Sequence, residues 1–305
     1  MNEIGLEMVK WVQERRTPGG EEFFLKLTGG GEWFGLLSVL GLLFWLFGAR
    51  AAYRAGLALA AGDLLSGAVK NLFCVPRPWV RDLGIVPVRA AQAGAFGYSF
   101  PSGHASSLAF LWGGIGATLK KGWVWIPLLA WIGLAGFSRV YLGVHTPLDV
   151  AGSWLLAIPT VWAASRAADW AEANPEKAWR VVAACALLAG AGALFMRLRP
   201  VPEDALPTFG RDVYRSAWAL AGFAGAWYAE RRWIRYDPAR LGGYRALAGA
   251  VGVLVLWLML GNLRRLLGPW LGENGSMYGL AVAVPLWIFV VWPLLLKGLE
   301  GPAES

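Results

Sequence analysis

The chain contains only two histidines, His104 and His145. Each lies in a short polar stretch at the edge of a long apolar run: SFPSGHASS at 99–107 and SRVYLGVHTPLD at 138–149. A third stretch, KNLFCVPRP at 70–78, adds Lys70 and Arg77, and Arg139 lies in the same stretch as His145. Together the three cations suit a phosphate: Arg offers a planar fork of donors that matches phosphate oxygens, and Lys adds a point charge. A helix beginning near Ser102 would aim its unpaired backbone N–H groups at the same anion, and Gly103 would let the backbone approach it closely.

The histidines supply the covalent chemistry. His145 precedes Asp149 by four residues, so a helical segment would place both on one face. A carboxylate on one ring nitrogen fixes the tautomer and leaves the other nitrogen free to attack phosphorus. His104, at a helix start, suits the general acid that protonates the departing oxygen and then activates water. The set describes phosphoryl transfer through a phosphohistidine, with Lys70, Arg77, Arg139 and the 102–104 amides around the equatorial oxygens. No metal and no other cofactor is expected, because one carboxylate and two engaged histidines are too few ligands for a two-metal phosphatase.

Apolar runs must carry these stretches. They fall at 33–49, 51–72, 104–119, 123–143, 147–165, 178–196, 213–230, 245–263 and 276–296. A span needs about 20 mainly apolar residues, so the pattern predicts an all-α polytopic bundle of about nine spans. Alternation of span direction then brings all three polar stretches to one membrane face. Arg54, Asp63 and Lys70 inside the second run predict a buried position for it. Gly113, Gly114 and Gly116 in the third predict close helix packing. The expected organisation is an interfacial segment over 1–32, a six-span core over 33–196 and a three-span extension over 197–305. Within the first segment, Ile4, Met8, Trp11 and Val12 form an apolar face opposite Glu7, Lys10 and Glu14, as in a helix lying on a membrane surface.

Composition agrees. The chain is 57% hydrophobic with 19 tryptophans, and its mean hydropathy is +0.47; a soluble domain is about 45–50% apolar. Tryptophans in or beside the apolar runs fit an interfacial belt. The net charge of +8 reads as basic loops facing lipid headgroups, not as a nucleic-acid surface. Cys74 and Cys185 make no disulfide framework. Arg197, Arg199 and Arg211 read as part of a solvated loop near the polar stretches. Lys and Arg divide almost evenly between the two faces, the densest cluster being Arg231, Arg232 and Arg235, so charge alone does not orient the bundle.

Lys70, Arg77 and Pro78, then Pro101, Ser102, Gly103 and His104, then Ser138, Arg139, His145 and Asp149 resemble the three signature motifs of the type 2 phosphatidic acid phosphatase superfamily, in the same order. The likeness covers roughly residues 33–165. It implies a metal-independent phosphohistidine mechanism with the site on the outer leaflet, and hence an N-terminus outside and a C-terminus in the cytoplasm. The layout is also similar to glucose-6-phosphatase and to sphingosine-1-phosphate phosphatases, whereas six-span bacterial members lack the last three runs. The expected activity is hydrolysis of a lipid phosphate monoester or pyrophosphate at the outer face of a bacterial plasma membrane, with the lipid tail admitted sideways from the bilayer. A sugar phosphate substrate, a lipid phosphotransferase and a non-catalytic phospholipid-binding transporter are the alternatives. The last three spans would line the path of the substrate, pair protomers or brace the core.

Overall fold

In the computed structural model the described residues are 3–29, 31–119 and 121–299, so the ends of the expected 1–32 and 197–305 segments lie outside them. They form helices and no strand. In chain order these are α1 (Glu3–Gln13), α2 (Pro18–Gly29), α3 (Trp33–Phe47), α4 (Ala49–Phe73), α5 (Pro78–Arg81), α6 (Arg89–Ala93) and α7 (Gly103–Leu119). Then come α8 (Trp125–Tyr141), α9 (Pro147–Ala173), α10 (Trp179–Leu198), α11 (Arg211–Ala229), α12 (Arg245–Leu286) and α13 (Trp292–Lys297). Each apolar run falls mainly in these helices, and a π-helical turn over Trp287–Val291 continues the last arm of α12 into α13.

By length and composition five of the described helical segments can cross a membrane, or six if the bent pair α2–α3 is one span. The expected nine is therefore not reached on these terms. Apolar runs 33–49 and 104–119 form helices of only 15 and 17 residues, short of the roughly 20 that a bilayer core asks of an upright helix. Conversely, the long segment Pro238–Lys297 is not one straight rod. Gly272 takes φ 70° inside α12, a left-handed conformation that a side chain disfavours, and the helix doubles back there. Trp287 Nε1 donates to Gly252 O and Trp292 Nε1 to Ala248 O, which fixes the two arms as antiparallel neighbours.

The centre of the bundle is α4 packed against α7 and α9. The small residues of α7 make this approach close. A Cβ on Gly114 would lie 2.6 Å from the Ala55 backbone, one on Gly113 2.9 Å from Val161, and one on Gly116 2.8 Å from Trp125. α11 packs on the other side of α4, α10 lies against α11, and the α12 arms close over α11 and α3. Embedded charge is paired away from the polar stretches: Arg54 donates to Asp169, and Tyr53 donates to Glu230.

α1 lies against the protein differently from the expectation. Leu6 and Val9 pack with Ile85, Ala105, Val140 and Val150, and Val12 is buried as well. Ile4, Met8 and Trp11 face outward. The helix is therefore apolar on two sides, one bound to the protein and one free. Gln13 Nε2 donates to Gly84 O and its Oε1 accepts from Val86 N, Arg16 Nη1 donates to Val86 O, and Lys10 pairs with Asp82 at 2.6 Å. The segment thus straps the loop that follows Arg77.

Candidate active site

The C-terminal end of α4, the start of α7, the end of α8 and the start of α9 meet at one end of the bundle. They bring together the polar stretches that alternation of spans predicts. Lys70 occupies the last turn of α4 and donates Nζ to the carbonyls of Tyr98 and Pro101, at 3.0 and 2.9 Å. α4 stops at Cys74, which takes a left-handed conformation with φ 48°, and Pro78 opens α5 immediately after Arg77. Arg77 is then held by three carbonyls: Nε donates to Gly97 O, Nη2 to Phe96 O and Nη1 to Val144 O, at 2.9, 2.9 and 3.1 Å.

Gly143 shapes the approach to His145. With φ 76° it lets the chain turn after α8, so that the N–H groups of Val144 and His145 both reach Arg139 O. A Cβ there would stand 2.5 Å from Arg16 Nη2. The ring of His145 presents Nε2 to Arg77 Nη1 at 2.8 Å and Nδ1 to Asp149 Oδ2 at 3.7 Å. Nη1 carries hydrogens only, so Nε2 accepts and the proton of the neutral ring sits on Nδ1, toward the carboxylate. Burial, and next the Arg77 guanidinium, hold the His145 pKa well below the usual imidazole value. The ring is neutral and its Nε2 lone pair is in place.

The His145–Asp149 relationship is not the helical-face contact expected from the spacing, because α9 begins only at Pro147. Thr146 is its N-cap, and Asp149 completes a capping box with it. Asp149 Oδ2 accepts from Thr146 N and from Ser99 Oγ, both at 2.7 Å. One carboxylate thus starts a helix and faces the imidazole. Ser99 belongs to the same polar stretch as Ser102, but nothing in its sequence position marks it as the partner of a residue fifty positions on.

Arg139 donates Nη1 to Thr28 Oγ1 at 2.7 Å, while its Nε has no protein partner. Thr28 comes from α2 and carries no sequence signal of its own. Ser102 differs from the expectation in part: it is fully buried, its N–H donates to Asp149 O at 3.1 Å, and its hydroxyl is without a partner. Its amide is therefore engaged in holding α7 to α9, and Ser153 Oγ donates to Ser102 O at 3.0 Å in the same junction. α7 starts one residue later, at Gly103. A Cβ on Gly103 would meet nothing within 4 Å, since that side opens on a cavity.

This cavity has a volume of about 590 Å³, and Lys70, Arg77, Gly103, His104, Arg139 and His145 all line it. Lys70, Arg77, Arg139 and His145 are nonetheless 6%, 7%, 2% and 2% exposed. This burial lowers the dielectric around them, which strengthens their pull on an anion. Such a cradle can hold a tetrahedral phosphorus group with its oxygens on the guanidinium and ammonium donors and its phosphorus toward Nε2. Among the described residues no group of three His, Cys, Asp or Glu side chains is placed to hold a metal ion. Of the loop arginines, Arg199 donates to Leu72 O at 2.8 Å and Arg211 pairs with Glu273 at 2.8 Å. Both are structural ties rather than free headgroup ligands.

Comparison with known proteins falls on the same stretch of the chain. The PAP2 superfamily model matches residues 51–173, the stretch that carries Lys70 through Asp149. The undecaprenyl-diphosphatase BcrC of Bacillus subtilis is 35% identical over 128 residues, which cover 38% of this chain and 60% of the relative. The putative undecaprenyl-diphosphatase YbjG of Escherichia coli is 32% identical over 130 residues, 39% of this chain and 60% of the relative. An undecaprenyl-diphosphatase of Sulfolobus acidocaldarius is 47% identical over 60 residues, 19% and 28% of the two chains. The chain thus spans 60% or less of the length of the curated relatives it matches. No solved structure gives a significant match. Residues 51–173 are similar to the PAP2 superfamily, and the helices α10–α13 lie beyond the matched segment.

Proposed function

We propose that the chain is an integral membrane, metal-independent phosphohydrolase that removes the terminal phosphate from a polyprenyl diphosphate through a phosphohistidine. The observation that carries it is the single cavity in which His145 Nε2 meets Arg77 at 2.8 Å while Lys70, Arg139 and His104 line the same walls. The relatives named undecaprenyl-diphosphatase favour a lipid diphosphate over the monoester within the same cradle. The five apolar helices favour a membrane setting.

The steps follow from the geometry. The terminal phosphate enters the cavity and accepts hydrogen bonds from Arg77 and Arg139, drawing Arg77 away from Nε2. His145 Nε2 attacks phosphorus as the bond to the bridging oxygen breaks, and His104, which takes up a proton with the bound anion beside it, gives that proton to the departing lipid phosphate. Asp149 meets the positive charge that develops at Nδ1. Neutral His104 then takes a proton from water, whose oxygen attacks the phosphohistidine and releases inorganic phosphate and free His145. Positioning and the cationic cradle supply most of the acceleration, since acid–base help is worth about 10²–10⁴-fold. The site faces the outer side of a bacterial plasma membrane in this reading, with the far end of the bundle in the cytoplasm.

The experiment is phosphate release by the purified protein from farnesyl diphosphate, phosphatidate and glucose 6-phosphate, each with a chelator present. Release fastest from farnesyl diphosphate and lost in His145→Ala is the expected result. A preference for glucose 6-phosphate overturns the lipid reading, and release only when an acceptor alcohol is added identifies a phosphotransferase.

A further inference from the structure

A second cavity of about 360 Å³ lies beside the cradle, between α3, α4, α11 and the two arms of α12. Its walls are apolar: Leu40, Leu59, Phe223, Leu260, Leu280 and Val284 represent each of these elements. The two cavities are contiguous, because Trp33, Phe34, Asp63 and Arg215 line both. Charge on the apolar cavity's wall is confined to Asp63, Arg215 and Arg264. Arg215 stacks over the Trp33 ring at 4.8 Å, and Arg264 shares Glu273 with Arg211 of the α11 N-terminus. These ties hold the arginines at the end of the bundle where the cradle lies. An amphiphile is therefore oriented by the pair of cavities: anionic group among the cations, chain among the leucines.

We infer that this second cavity binds the first part of the hydrocarbon chain of the substrate while its phosphate occupies the cradle, an inference that rests on the hydrolase reading above. Two of its walls, α11 and α12, lie beyond the segment that matches the PAP2 superfamily, so the chain-binding site is built largely by the C-terminal helices. Those helices select for chain length rather than merely bracing the bundle. Arg215 and the Trp33 ring mark the boundary that the diphosphate–hydrocarbon junction of the substrate occupies.

Filling the cavity tests the assignment. Ala219 of α11 and Ala60 of α4 are partly buried on its wall, and Ala219→Phe or Ala60→Phe would each occupy space that the chain needs. Ala184→Phe, in a separate outward-facing groove lined by α4, α9 and α10, is the control. The readout is the ratio of kcat/KM for farnesyl diphosphate to that for dimethylallyl diphosphate, two substrates with one headgroup and different chains. A ratio does not depend on how much of a variant folds. The expected result is a wild-type ratio well above one that falls about tenfold in each filling variant, as displacing roughly two methylenes from an apolar site requires, and stays unchanged in Ala184→Phe. A wild-type ratio near one, or filling variants that keep the wild-type ratio, overturns the inference and leaves the hydrolase reading standing; a resident bilayer lipid would produce the latter. A wild type that hydrolyses neither diphosphate removes the hydrolase reading and the inference with it.

Discussion

His145 Nε2 and Arg77 Nη1 stand 2.8 Å apart, so the nitrogen that attacks phosphorus in the proposed mechanism is covered by a guanidinium until an anion arrives. The same Nη1 also donates to Val144 O, and an incoming phosphate offers it stronger, charged acceptors. Substrate binding and release of the nucleophile are one event in this arrangement. Arg77→Lys keeps a charge but loses the fork that spans Phe96, Gly97 and Val144. A fall in kcat/KM of about 10²-fold is expected by phosphate-release assay, with Arg77→Ala lower still.

The proposed phosphohistidine is open to a trapping test. In the proposed mechanism His104 serves both steps, but a lipid phosphate can depart without acid help whereas water needs the base, so His104→Ala should accumulate label from a terminally ³²P-labelled diphosphate. The label should be acid-labile and base-stable, and peptide mapping should place it on His145. Steady-state turnover should drop about 10²–10⁴-fold. No label in that variant at any quench time would count against covalent catalysis.

Asp149 has two functions that its variants should separate. Asp149→Asn preserves shape, but loses the charge that faces Nδ1 and weakens acceptance from Ser99 and the Thr146 amide. Turnover should fall about 10²-fold with a modest loss of thermal stability. Asp149→Ala also removes the Asp149 half of the α9 capping box, which costs about 1 kcal/mol more and should lower Tm in detergent. Ser99→Ala, which touches only the carboxylate, should reduce kcat without moving KM.

The pH profile follows from the His145 environment. Its pKa is lowered, so the ring stays unprotonated as pH falls through about 6.5, where a free imidazole would charge. The nucleophile is thus lost only at lower pH, when proton binding finally overcomes burial and the Arg77 charge. In kcat/KM corrected for ionisation of the substrate, the acid limb due to His145 should fall below about pH 6. Weakening the Arg77 charge should move that limb upward.

Thr28 should matter although it carries no catalytic group. Thr28→Val removes the acceptor of Arg139 Nη1 and leaves a buried guanidinium short of a partner. A hydrogen bond to a charged group is worth about 1.5–3 kcal/mol, so a rise in KM of at least about tenfold is expected, with Thr28→Ser restoring most of the loss. Equal KM values for wild type and Thr28→Val would remove Thr28 from the site.

The residues proposed to hold phosphate were legible because phosphoryl chemistry admits few side chains, and Lys70, Arg77, Arg139, His104 and His145 occur where helices end. Their partners were not. Thr28 and Ser99 reach Arg139 and Asp149 across 111 and 50 residues, contacts that exist only after α2 and the 99–102 turn have packed. Spacing placed Asp149 near His145 but for a different reason, since a capping box, not a helical face, sets the distance. Ser102 was read as a donor to the ligand, whereas packing of α7 on α9 uses its amide. Apolar runs located every long helix, but hydropathy does not report length: α3 and α7 are short, and the reversal at Gly272 depends on one dihedral angle.

That reversal has a practical consequence. Trp45 Nε1 donates to Ile288 O, so the returning arm of α12 ends beside the start of α4, at the pole of the bundle remote from Lys70. A reporter fused after Leu299 would emerge there, clear of the catalytic mouth. Protease or dye access to that reporter in intact cells would assign the sidedness of phosphate release without disturbing turnover.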